Sequence, residues 1–357
     1  MSPTPPPRRG RGWMVFALVL LVLLAFSMLY NVGSFFSNLA RGGGKLSAHT
    51  AGPKLDEVVA EDHDASDKIA LVEVEGIITG RVMDEGGYTM VDLIRAQLDR
   101  AKEDKEVKAV ILKVDSPGGE VLASDEINRV IADFQVKSQK PVVASMGSLA
   151  ASGGYYVSVP CRWIVANELT ITGSIGVIMS TWNYRGLMDK VGLLPQTFKS
   201  GKYKDMLSGS REPDKIPPEE TAMVQKLIDE TYAKFRSVVQ AGRDLAWDKN
   251  KTGKDKGRKL ASDWQDYADG RVLSGKEALE RGFVDELGDF EDAVNRTKAI
   301  AGISAANLVE YHQRYDLSDL FHMFGKSDSK VVKLDLGVEG PKLQAGQPYF
   351  LCPTFMH

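Results

Sequence analysis

Short β-branched segments alternate with longer segments of helical periodicity along the middle of this 357-residue chain. The predicted strands are rich in Val, Ile and Ala, and they lie at residues 69–78, 107–116 and 141–147. The predicted helices have one apolar and one charged face, and they lie at residues 90–104, 121–135 and 217–242. Strands separated by helices of this length form βαβ units, in which helices cover the faces of a mostly parallel sheet. The pattern therefore predicts one α/β domain over residues 67–305.

An apolar segment before this domain predicts a membrane anchor. Residues 13–30 contain no charged side chain, and as a helix they would extend about 27 Å, close to the hydrocarbon thickness of about 30 Å. Three arginines precede the segment, whereas Arg41 and Lys45 follow it. This bias predicts an inner-membrane protein with a cytoplasmic N-terminus and an extracytoplasmic domain. The expected regions are a cytoplasmic N-terminus (1–12), a transmembrane signal anchor (13–36) and a flexible tether (37–66), with a cleaved signal peptide as the alternative.

The charge balance and the position of the histidines exclude several kinds of chemistry. Lys and Arg total 45 against 48 Asp and Glu, a net charge of −3, which disfavours a nucleic-acid binder. No His occurs between residues 64 and 311, so this region must act without imidazole unless a distant His folds back. The two cysteines, Cys161 and Cys352, are too few for a four-Cys zinc site and are predicted to be free.

Two glycine-rich loops follow predicted strands, where ligands bind in parallel α/β sheets. Residues 115–119 read DSPGG, and their backbone amides are suited to binding a developing oxyanion. Residues 147–156 read GSLAASGGYY, which places Ser148 and Ser152 among small residues at a strand-to-helix junction. Ser152 is the better nucleophile candidate because two glycines follow it. The alternatives are a plain turn for the first loop and close helix packing for the second.

A serine nucleophile needs a base, and lysine can act as one when burial lowers its pKa. The segment FKSGKYKDMLSGSRE supplies three candidates, which are Lys199, Lys202 and Lys204.

Five segments together resemble the signal peptide peptidase A family, in its short, single-repeat bacterial form. They occur in the family's order at residues 114–119, 146–159, 169–178, 200–205 and 269–288. The resemblance implies a crotonase-like or Clp-protease-like α/β fold and a serine peptidase that uses a Ser–Lys dyad. It identifies Ser152 as the nucleophile and Lys204 as the base, with no metal or organic cofactor. The further residues that it implies are the oxyanion donors Gly153 and Gly118 or Gly119, and a lysine-orienting Ser174.

The resemblance also predicts the partners of the chain. It implies hydrophobic peptides as substrates and a ring-like homo-oligomer in which Ser and Lys can come from neighbouring subunits, while the apolar segment 13–30 predicts contact with lipid through an N-terminal helix. Candidate groove residues, for which core packing is the alternative, are Leu149, Tyr155, Tyr156 and Ile175.

Two rival functions remain open at this point. One is a crotonase-type acyl-CoA hydratase or isomerase, with Glu120, Glu126 and Glu168 as its acids, and the other is a catalytically silent membrane scaffold.

Residues 248–259 form a basic insertion, expected to be a solvated loop or to contact anionic lipid. The C-terminal tail, 306–357, is expected to pack on the body, mediate subunit contacts or enter the substrate groove.

Overall fold

The computed structural model describes residues 52–82, 87–252, 256–314 and 348–351, together with Phe16, residues 19–21, Leu23, Leu24 and Ser27. Two compact units divide the chain, one over residues 1–51 and one over residues 52–357. The described residues of the first unit are helical and exposed. No helix among the described residues is long and apolar enough to span a membrane, and most of the predicted anchor lies outside them.

Ten strands form one mixed sheet among the described residues of the second unit. Its main order is β1-β9-β2-β3-β4-β5-β8, while β10 pairs with β3, β6 with β4, and β7 with β6. The pairs at the centre of the sheet, from β9 through β8, are parallel. The strands are β1 Leu55–Glu61, β2 Lys68–Ile78, β3 Val107–Glu120, β4 Val142–Ala151, β5 Trp163–Ala166, β6 Ile171–Gly173, β7 Val272–Ser274, β8 Glu286–Leu287, β9 Asn307–Gln313 and β10 Tyr349–Leu351.

Seven α-helices, and the short 3₁₀ helices Pro213–Lys215 and Trp264–Tyr267, accompany the sheet within the described part of this unit. The α-helices are α1 Met90–Glu103, α2 Val121–Ser138, α3 Gly153–Ser158, α4 Arg185–Lys190, α5 Pro218–Asn250, α6 Gly275–Glu280 and α7 Phe290–Ala301. Capping boxes begin α1 at Thr89, α6 at Ser274 and α7 at Asp289, since each cap satisfies amides that the first turn leaves unpaired.

The two faces of the sheet have separate cores. On one face, alternate strand residues such as Val72, Leu112 and Ala144 pack with α1, α2, α3 and α5 in the larger cluster. On the other face, residues such as Leu71 and Ile111 pack against α7. This period-two alternation is what places helices on both sides of a parallel sheet. The predicted α/β class, with a parallel sheet and flanking helices, is confirmed at this level.

The sheet extends beyond the predicted domain limits. Residues 55–61, predicted as tether, form β1, and residues 307–313, predicted as tail, form β9; the two strands pair antiparallel. The segment 349–351 forms β10 on β3. Pairing between distant segments supplies backbone hydrogen bonds that local sequence does not reveal. The basic insertion also differs from a free loop, because Asp248–Asn250 continue α5 and the backbone amide of Arg258 donates to buried Asp285.

Candidate active site

Ser152 lies at the junction between β4 and α3. Its backbone has φ 54° and ψ −114°, a conformation that non-glycine residues rarely adopt and that is common where strain serves a site. The Ser152 amide donates to the Gly173 carbonyl at 2.8 Å, and the Ser152 carbonyl accepts from the Tyr156 amide at 2.8 Å. Both backbone groups are therefore held by neighbouring elements, which fixes the direction of the side chain.

The Ser152 hydroxyl is enclosed and has no hydrogen-bond partner within the described part of the chain. The residue is 1% exposed. A buried hydroxyl without a partner costs about 1–3 kcal/mol, so this atom is placed at a stability cost. By contrast, Ser148, the other candidate nucleophile, is exposed on the same strand.

Three glycines allow the two glycine-rich loops to approach each other closely. A Cβ added to Gly153 would lie 3.0 Å from both the Gly118 Cα and the Gly119 nitrogen. Gly118 has φ +98°, and a Cβ there would lie 2.5 Å from the Gly153 nitrogen. The sequence-predicted oxyanion residues are thus brought together beside Ser152. The Gly118 amide already donates to the Ser116 hydroxyl at 3.1 Å.

Ser174 follows Gly173, whose carbonyl accepts the hydrogen bond from the Ser152 amide. Its φ is +50°, it is 5% exposed, and its amide donates to the Arg271 carbonyl at 2.7 Å. The pairing of β6 with the end of β4 therefore carries Ser174 next to the nucleophile candidate.

None of the three candidate lysines forms a hydrogen bond with the Ser152 hydroxyl within the described residues. Lys204 is exposed, and its side chain forms no hydrogen bond or ion pair there. Lys199 donates to Asp205 at 2.7 Å, and the Lys202 ammonium lies 4.8 Å from the Tyr203 ring centroid. The described chain thus assembles the serine and glycine part of the predicted site without its base.

The residues predicted to line a groove mostly belong to the core. The Tyr155 hydroxyl donates to the Phe283 carbonyl at 2.9 Å, and the Tyr156 hydroxyl donates to Asp125 at 2.7 Å. Ile175 is fully buried and Leu149 is half-buried.

Cys161 is also buried, and burial raises the pKa of its thiol, which keeps it protonated at neutral pH.

The C-terminal segment lies directly on the glycine loop. Tyr349, Phe350 and Leu351 pair antiparallel with Glu120, Gly119 and Gly118, and the backbone of Tyr349 also exchanges two hydrogen bonds with Ile178, at 2.9 and 3.1 Å. The Phe350 ring is fully buried, stacked on Tyr156 at 4.8 Å between centroids and tilted against Phe235 at 4.6 Å. The sequence signal for this contact was only the apolar character of the last residues.

Because β10 covers the glycine loop, we expect Phe350→Ala to increase access to Ser152. Loss of the buried ring weakens the contact of β10 by up to about 3–5 kcal/mol. A fluorophosphonate probe should then label Ser152 several-fold faster than in the wild type at a temperature where both are folded. Leu245→Ala, at an exposed position of α5, is the control. Equal labelling rates for the wild type and Phe350→Ala would show that β10 does not limit access.

Comparison with known proteins agrees with the geometry of this site. The model of "Peptidase family S49" matches residues 134–304. A provisionally named signal peptide peptidase SppA of Enterococcus faecium is 36% identical over 262 residues, which cover 72% of this chain and 71% of the relative. A provisionally named protease of Synechocystis sp. is 41% identical over 236 residues, covering 66% of this chain and 75% of the relative. A chloroplastic serine protease SPPA of Arabidopsis thaliana is 33% identical, and the match covers 38% of its length.

The enclosed serine at a strand-to-helix turn and these relatives define a serine-type peptidase. The chain belongs to peptidase family S49, the signal peptide peptidase A family. The predicted family is confirmed.

Of the acids considered for an acyl-CoA enzyme, Glu120 accepts hydrogen bonds from the Thr79 hydroxyl and the Gly80 amide, both at 3.0 Å.

Proposed function

We propose that this protein is a membrane-anchored serine endopeptidase that hydrolyses hydrophobic peptides, such as cleaved signal peptides, with a Ser152–Lys204 dyad on a crotonase-like or Clp-protease-like fold. The observation that carries the proposal is the enclosed Ser152 hydroxyl, which has no partner in the described chain and lies beside the glycine amides. A hydroxyl held at a cost to stability is expected where a second group completes a reactive site.

The proposed mechanism divides hydrolysis into acylation and deacylation. Neutral Lys204 accepts the proton of the Ser152 hydroxyl, and the oxygen attacks the scissile carbonyl. The protonated lysine then donates a proton to the leaving amine, and water hydrolyses the acyl-enzyme. We assign the oxyanion donors to the amides of Gly153 and Gly119, because the Gly118 amide already donates to Ser116. The role of Gly118 is then that its lack of a side chain allows the two loops to approach each other.

We infer that Lys204 acts on the Ser152 of a second copy in a ring-like homo-oligomer. Lys204 is exposed and lies far along the chain from Ser152. The segment that carries it also exposes large apolar side chains, with Trp182 81% and Phe198 94% exposed. Exposed apolar residues concentrated in one segment are typical of a protein–protein interface. A neighbouring subunit that buries them would bring Lys204 into a drier environment, where its pKa falls toward that of a base.

The membrane part of the proposal depends on the charge-free segment 13–30 and the arginines before it. An N-terminal anchor would place the N-terminus in the cytoplasm and the peptidase unit on the extracytoplasmic side. Substrates would then be apolar peptides released at the same membrane. The pairing of β10 with residues 118–120 supports the binding of the substrate as an extended strand. A peptide could pair with the same backbone edge in place of β10.

Covalent labelling and peptide hydrolysis test the proposal together. The full-length protein in detergent should react with a fluorophosphonate, and mass spectrometry should locate the adduct on Ser152. The same preparation should hydrolyse apolar peptides, and activity should fall in proportion to labelling. An adduct on Ser148, or hydrolysis that continues after complete labelling of Ser152, would contradict the assignment of the nucleophile.

A further inference from the structure

A β-bulge interrupts the pairing of β2 with β3 immediately before Gly118 and Gly119. One residue of β2, Gly76, lies opposite two residues of β3, Ser116 and Pro117. Pro117 has no amide hydrogen, so it cannot donate to the neighbouring strand. The regular backbone ladder is therefore broken at this point, and the buried polar groups beside the bulge need another partner.

The Ser116 hydroxyl supplies that partner. It donates to the Gly76 carbonyl at 2.5 Å, and the same oxygen accepts a hydrogen bond from the Gly118 amide at 3.1 Å. Ser116 is fully buried, so both bonds form in a low-dielectric interior, where they are stronger than in water. One hydroxyl thus joins the end of β2 to the amide of Gly118.

These two hydrogen bonds constrain the peptide group that follows. Gly118 has φ +98°, a backbone angle that glycine adopts far more readily than other residues. Because Ser116 holds the Gly118 amide, the peptide between Gly118 and Gly119 is held at one end. That peptide contains the Gly119 amide, which we assign as an oxyanion donor. A Cβ added to Gly153 would lie 3.0 Å from the Gly119 nitrogen, so a small rotation of this peptide changes the geometry beside the nucleophile.

Other contacts hold the strand that carries the nucleophile. The Asp115 carboxylate accepts a hydrogen bond from the Leu149 amide at 3.0 Å. The Thr172 hydroxyl donates to the Ala150 carbonyl at 2.7 Å. Neither bond involves the Ser116 hydroxyl. Removal of that hydroxyl should therefore loosen the oxyanion side of the site and leave the serine side in place.

We propose that Ser116 is a positioning residue for the oxyanion site, because its hydroxyl holds the peptide group that presents the Gly119 amide. The inference rests on the proposed peptidase function and deepens it with a residue that does not touch the substrate. Negative charge develops on the scissile carbonyl oxygen only during the reaction, and a preorganised donor stabilises that charge more than it stabilises the bound substrate. A displaced Gly119 amide should therefore slow catalysis and leave substrate binding almost unchanged.

The steady-state kinetics of full-length Ser116→Ala test this role. We expect kcat for an apolar peptide to fall about 10- to 100-fold, because a displacement of about 1 Å at the reacting centre has an effect of this order. KM should stay within about twofold of the wild-type value, since the lost interaction is made only in the transition state. Ser116→Cys keeps a weaker hydrogen-bonding group and should give an intermediate kcat. This variant also carries the test if Ser116→Ala does not fold.

Ser158→Ala is the matched control. Ser158 is also fully buried, and its hydroxyl donates to a backbone carbonyl, that of Gly154, at 2.8 Å. Its replacement removes a comparable hydrogen bond without affecting Gly118 and should leave kcat near the wild-type value. All assays are run below the unfolding transitions of the variants. A wild-type kcat in both Ser116 variants, or an equal loss of kcat in Ser158→Ala, would overturn the proposal.

Hydrogen exchange separates failure of this proposal from failure of the proposed function, because it needs no turnover. In Ser116→Ala, the amides of Gly118 and Gly119 should exchange about tenfold faster than in the wild type, as expected when a buried hydrogen bond is lost. Ser158→Ala should not change their exchange. Unaltered exchange in Ser116→Ala would overturn the positioning role even if Ser152 is the nucleophile. Faster exchange, together with a wild type that hydrolyses no peptide, would overturn the peptidase assignment and support the contact of Ser116 with the Gly118 amide.

Discussion

Replacing Ser152 with alanine is expected to lower kcat/KM for peptide hydrolysis by about 10⁴-fold, and Lys204→Ala is expected to have a similar effect. Nucleophile and base act as one unit, so loss of either removes the covalent route. Ser148→Ala should retain wild-type activity because Ser148 is exposed and lies four residues before the enclosed serine. Lys199→Ala and Lys202→Ala are matched controls for the base. Full activity in Lys204→Ala would assign the base to another residue.

Mixing the two inactive variants tests whether the dyad spans two copies. In a ring with one kind of interface, an active site would form wherever a Lys204→Ala copy supplies Ser152 and a Ser152→Ala copy supplies Lys204. Random mixing would restore about a quarter of the sites. Recovery of hydrolysis after subunit exchange, with exchange verified by differently tagged copies, is the expected result. An inactive mixture of exchanged subunits would place Ser152 and Lys204 in the same copy.

The central part of the fold could be predicted because its signals are local. The β-branched run at 107–116 and the amphipathic run at 90–104 correspond to β3 and α1, with ends within a few residues. In contrast, β1 has the sequence LDEVVAE, with three acidic residues and little burial. Its pairing with β9 depends on a partner more than 240 residues away, and no local period indicates such a partner.

The serine and glycine part of the site could also be anticipated, and the structure gives the physical reason. The two glycines after Ser152 favour it over Ser148, and the loop at Gly118 approaches Gly153 too closely for a side chain at that position. The position of the base could not be derived in this way. Lys204 lies on an exposed segment. In the proposed homo-oligomer its surroundings would depend on a second copy, and a single sequence contains no geometric record of such a contact.

Gly118→Ala is expected to reduce kcat for peptide hydrolysis by about 100- to 1000-fold. Its Cβ would overlap the Phe350 carbonyl oxygen and lie 2.5 Å from the Gly153 nitrogen. One loop must then move, which displaces the amides of Gly153 and Gly119 relative to each other. Loss of one oxyanion donor has an effect of about this size in other hydrolases, and displacements of about 1 Å have comparable consequences.

Gly270→Ala is the matched control for this change, because the positive φ of Gly118 also disfavours alanine. Gly270 has φ +93°, close to the +98° of Gly118, and nothing lies within 4 Å of an added Cβ. Both variants should therefore lose a similar stability, about 1–2 kcal/mol, from the backbone alone. Thermal unfolding measures the stability that both variants lose. A comparison of kcat at a temperature below the unfolding transition measures the additional effect of Gly118→Ala on catalysis. If kcat falls equally in the two variants, the approach of Gly118 to Gly153 has no part in catalysis.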